Sequence, residues 1–97
     1  SKLGKYQQAI KSFDKANEFL PDNYLVLTGK AIALMNVGKL ESYKNAQKTF
    51  QDALKTIDRA LAINSSFQLA IENRQNLIKE METKVDRGVK VRNSTKN

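Results

Sequence analysis

The chain has 97 residues, a formal charge of +7, 40% hydrophobic and 28% charged residues, a globular balance with enough length for one hydrophobic core but not two. Cysteine and histidine are both absent. This excludes disulfides, thiolate metal sites and Ser-His-Asp triads and removes the commonest general base, so no enzyme activity, cofactor or metal is expected. No run approaches the roughly 18 apolar residues of a membrane span, so no membrane insertion is expected, and a chain without thiols suits a reducing, cytoplasmic setting.

The elements follow in chain order. Between Lys5 and Leu20, Tyr6, Ala9, Ile10, Phe13, Ala16 and Leu20 recur at three- and four-residue steps, which predicts an amphipathic helix ending at Phe19. Pro21 cannot extend it and biases Leu20 out of the helical region, while Asp22 or Asn23 can cap the next start. A second helix is expected over Tyr24 to Val37, closed by Gly38 in the left-handed conformation. A long third helix spans Ser42 to Ile63, with Ala46, Phe50, Ala53, Ile57 and Ala60 on one stripe. Ser65 and Gln68 stand in capping-box spacing, so a fourth helix should start near Ser66, with a wide polar face and an end near residue 83. Residues 84–97 hold Lys84, Arg87, Lys90, Arg92 and Lys96 against one acid, Asp86, and read as a basic, flexible tail.

Self-comparison reveals a repeat. Leu3-Gly4-Lys5-Tyr6 matches Val37-Gly38-Lys39-Leu40 at an offset of 34. A second offset of 44 pairs Ala9, Phe13, Ala16 and Phe19 with Ala53, Ile57, Ala60 and Ile63, and then Leu25, Val26, Leu27, Lys30 and Leu34 with Leu69, Ala70, Ile71, Arg74 and Ile78. The difference of ten residues is an insertion between Gly38 and Ala53; seven of these extend the third helix and three lengthen the turn.

At Gly4, Tyr6, Ala9, Phe13, Ala16 and Pro21 the chain resembles a tetratricopeptide repeat, matching its turn glycine, turn aromatic, small alanine, large aromatic, second alanine and terminal proline. Leu27 replaces the family's tryptophan, Ala31 holds its small-residue position, and the ten-residue insertion departs from its 34-residue period. The resemblance, over residues 3 to 82, implies an all-α, right-handed superhelical stack of antiparallel helix pairs with about four helices and an elongated third. The expected organisation is a partial repeat at 3–22, a repeat with insertion at 23–64 and a capping helix at 66–83, forming one domain over 1–83. The chain opens without methionine and on the second helix of a repeat, so it is expected to be the C-terminal part of a longer array, able to self-associate through an open N-terminal end bearing Tyr6, Ile10 and Phe13.

The same resemblance implies a non-enzymatic scaffold whose concave groove holds a peptide or helix of a protein partner. The groove would include Leu25, Thr28, Ile32, Met35 and Asn36 from the second helix and Leu69, Glu72, Asn76 and Lys79 from the fourth. Met35→Asp is expected to abolish capture while sparing helicity. The lysine, asparagine and arginine clamp for chaperone C-termini is not matched at Thr28, Gly29, Ile32, Leu69 and Asn73. The alternative is nucleic-acid binding through Lys44, Lys48, Lys55 and Arg59, which share a face, together with the tail; no aromatic residue is interleaved for base stacking, which disfavours it. A third option, coiled-coil dimerisation by the third helix, has too short and alanine-rich a stripe.

Overall fold

The computed structural model describes residues 1–95, with side chains through Gly88, and every element among them is an α-helix: α1 Lys2–Phe19, α2 Tyr24–Leu40, α3 Tyr43–Ile63 and α4 Gln68–Thr95. The expected stop at Pro21 holds: Leu20 sits at φ −132° and ψ 67°, outside the helical region as a residue before proline must be. Asn23 caps α2, its Oδ1 accepting from the Leu25 and Val26 amides at 2.9 and 3.1 Å. Each helix runs antiparallel to the one before it. α3 packs against both α2 and α4, and α1 packs against α2 alone. The result is two layers, α1 and α3 over α2 and α4.

The core lies where α3 is sandwiched. Ala46, Phe50, Ala53, Ile57 and Ala60 are all buried, and the first four cluster with Ala31, Met35, Ala70 and Leu77. Alanines on α3 let the neighbouring backbones approach, and Phe50 and Ile57 fill the space between. By contrast α1 has no buried residue. Its Ala9, Phe13 and Ala16, equivalent to Ala53, Ile57 and Ala60, are only half-buried because they are covered on one side.

The repeat is visible in three dimensions. At the first junction the amides of Leu20, Asn23 and Leu27 donate to the carbonyls of Ala16, Leu20 and Asn23 at 2.9, 3.2 and 3.1 Å; at the second, those of Asn64, Phe67 and Ile71 donate to Ala60, Asn64 and Phe67 at 2.9, 3.2 and 3.1 Å. Every donor and acceptor is displaced by 44. An ion pair repeats with the same displacement: Asp14 to Lys30 at 2.7 Å, and Asp58 to Arg74 at 2.7 Å. The α1–α2 and α3–α4 corners are thus the same structural unit used twice.

Three expectations are corrected. Gly38 does not end α2, which runs on to Leu40, and no glycine among the described residues has positive φ. Its role is close approach: a Cβ there would lie 2.5 Å from Phe50 Cε1. Gly29 receives Phe13 and Gly88 receives Tyr43 in the same way. The capping box at Ser65 and Gln68 does not form. Asn64 organises that turn instead, its Oδ1 accepting from the amide and hydroxyl of Ser66, and Gln68 reaches forward to Glu72. Finally, α4 continues past residue 83 through Thr95. Its extension pairs with that of α3, as Gly88 lies under the Tyr43 ring and the Lys84 ammonium donates to the Lys39 and Glu41 carbonyls at 3.1 and 2.9 Å. A cation on the free carbonyls of α2's C-terminus is favourable with the helix dipole. Lys96 and the side chains of Lys90 and Arg92 lie outside the described residues.

Candidate partner-binding groove

The surface proposed from sequence is the outer face of α2 beside α4. Leu25 and Leu69, one repeat apart, stand 56% and 47% exposed at the starts of the two helices. Ile32 and Asn36 are half-buried, and Glu72, Asn76 and Lys79 are exposed. These seven form a mixed face with two exposed leucines, one acid and one base. Asn73 is spent on its own helix, its amide donating to the Leu69 carbonyl at 2.8 Å.

Thr28 and Met35 do not belong to that face. Thr28 is 1% exposed and Met35 8% exposed, and Met35 is part of the core cluster. Met35 shares that cluster with Ala70 and Leu77 of α4. Met35→Asp would therefore bury a charge in the core and unfold the chain, so it cannot isolate a binding surface. The Thr28 hydroxyl oxygen is buried without a hydrogen-bond partner.

Two concavities that the sequence reading missed lie on other faces. A cleft of about 460 Å³ runs between α1 and α3 over α2, lined by Ile10, Asp14, Lys30, Leu34, Asp52, Lys55, Thr56 and Arg59. A cup of about 270 Å³ lies between α3 and the extension of α4, with Phe50, Met81 and Val85 inside and Glu82 and Asp86 among its lining residues. The signal for the cleft was present in the basic stripe, since Lys55 and Arg59 are two of its four residues. All four, Lys44, Lys48, Lys55 and Arg59, are exposed. The cleft nevertheless alternates in sign, with Asp14 and Asp52 among its bases, and does not present a continuous positive track.

The remaining electrostatics hold helices together. Lys39 approaches Glu80 at 3.9 Å, and Asp58, by its hydrogen bond and then its charge, holds the Arg74 guanidinium still more firmly protonated. Among the described residues no group of three or more His, Cys, Asp or Glu converges as a metal site, and no helix is long and apolar enough to cross a membrane. No family model, curated protein or solved structure matches the chain.

Proposed function

We propose that the chain is a tetratricopeptide-like helical repeat, a cytoplasmic scaffold without enzymatic chemistry that holds a peptide or helix of a protein partner against the α2–α4 face. The observation that carries this reading is the corner used twice, the same three turn hydrogen bonds and the same ion pair 44 residues apart. A repeated corner makes a stack in which each unit touches only its neighbours, and such stacks offer extended binding faces. The outer side of α4 supports its reading as a cap on this end of the stack. Where α2 has Ala31 and Gly38 to admit α3, α4 has Gln75 and Glu82, which leave no room for an aromatic ring.

The test is affinity capture with the wild-type chain and with Asn36→Arg/Asn76→Arg, at two salt concentrations with nuclease. A specific protein retained by the wild type regardless of nuclease, and lost by the double variant, is the expected result. The second reading, nucleic-acid binding, rests on the exposure of Lys44, Lys48, Lys55 and Arg59. It predicts retention that nuclease or raised salt abolishes and that Lys55→Glu/Arg59→Glu removes.

A further inference from the structure

Among the described side chains seven large apolar groups are exposed, and five of them, Phe19, Leu20, Leu25, Ile63 and Leu69, share one edge of the slab. The edge exists because both junctions, 20–23 and 64–67, turn at the same end of the helices. The Tyr24 and Phe67 rings tie the two turns together edge to face, with centroids 4.9 Å apart. The repeat doubles the exposure, since Phe19 and Ile63 are equivalent, as are Leu25 and Leu69. Phe19 is 76% exposed and borders a shallow hollow of about 340 Å³ formed with Leu20, Pro21, Asp22 and Asn23.

Charge points to the occupant. The chain carries +7, yet residues 18–25 and 62–69 contain no lysine or arginine. The first corner holds two acids, Glu18 and Asp22; the second is neutral, with Arg59 one turn inside it. Two copies meeting through their basic helix faces would repel, whereas a two-fold axis through this edge sets the acidic corner of each copy against the neutral corner of the other. A polyanion or an anionic membrane would find no base here. Contiguous exposed apolar surface of this kind marks an interaction site, and an isologous contact requires a patch that complements itself across two unlike halves.

We propose that this edge is a self-docking surface, on which Phe19 of each copy packs against Ile63 of a second copy, with the hollow beside Phe19 receiving the Ile63 side chain. The interface is closed and two-fold, and it is separate from the α1 face bearing Tyr6 and Ile10.

Sedimentation equilibrium of the full chain, from micromolar to millimolar concentration at fixed salt, tests it. The wild type should approach the dimer mass, and Phe19→Lys and Ile63→Glu should each raise the dissociation constant at least tenfold, with unchanged circular dichroism because both sites are exposed. Mixing the two variants should restore dimers, since the mixed pair keeps one native Phe19–Ile63 contact and sets the introduced lysine opposite the introduced glutamate at the other. A wild type that stays monomeric overturns the proposal. So does a dimer that ignores both substitutions but dissociates with Tyr6→Asp, which would move self-association to α1. Binding of monomers to phosphatidylcholine vesicles, lost in Phe19→Lys, would overturn it too by giving the edge to lipid.

Discussion

At Gly38 a single methyl group is decisive. Alanine in a helix interior gains about 0.5–1 kcal/mol over glycine, but the added Cβ would meet the fully buried Phe50 ring at 2.5 Å, and overpacking costs about 1–3 kcal/mol. The second effect wins: Gly38→Ala should destabilise the chain in urea unfolding, and Phe50→Leu in the same background should recover part of the loss although it destabilises the wild type. Thr28 works in the opposite direction. Its hydroxyl oxygen is buried and unpartnered, so Thr28→Val, close to it in shape, should raise stability by about 1 kcal/mol. An unfolding midpoint lowered by that change would mean the hydroxyl has a partner. Residue roles were the least legible part of the sequence. Helical spacing puts Thr28 and Met35 on the groove face, but only tertiary packing determines that they are covered. Gly38 reads as a stop because glycine suits both a left-handed cap and a close contact, and the ring that selects the second lies twelve residues away.

At the scale of elements, the two long helices explain each other. The insertion that lengthens α3 at its start would leave Tyr43, Gln47 and one side of Phe50 without cover unless α4 grew at its end to meet them, and it does. Removing residues 84–97 should therefore destabilise the chain: the Lys84 cap on α2, the Val85 contact at the cup and the Gly88 seat for Tyr43 all go, and thermal unfolding should begin well below the wild-type midpoint. A solvated tail would predict no change. Four helices, their order and the offset of 44 were legible, because periodicity and proline chemistry fix them; a cap at Asp22 or Asn23 was legible too, and the structure selects Asn23. The end of α4 was not. The stretch after residue 83 is mostly polar and interrupted by glycine, and Lys84 and Gly88 are held by a pairing with residues more than 40 positions earlier.

The whole molecule is a slab of 52 × 28 × 16 Å with a radius of gyration of 14.6 Å, against about 12.5 Å for a compact globule of this length. In a stack of this kind protection follows the number of neighbours. α1 has one neighbour and no buried side chain, so its amides should exchange with deuterium fastest among the four helices, and those of α2, which touches α1, α3 and α4, slowest. Equal protection in α1 and α2 would show that the layers open as a single unit. The duplicated corner also makes the molecule a modular part. Residue 20 follows Phe19 in the same geometry in which residue 64 follows Ile63, so a second copy of the segment 20–63 spliced between Ile63 and Asn64 meets familiar geometry at both seams, and the stack lengthens by one helix pair without a new joint.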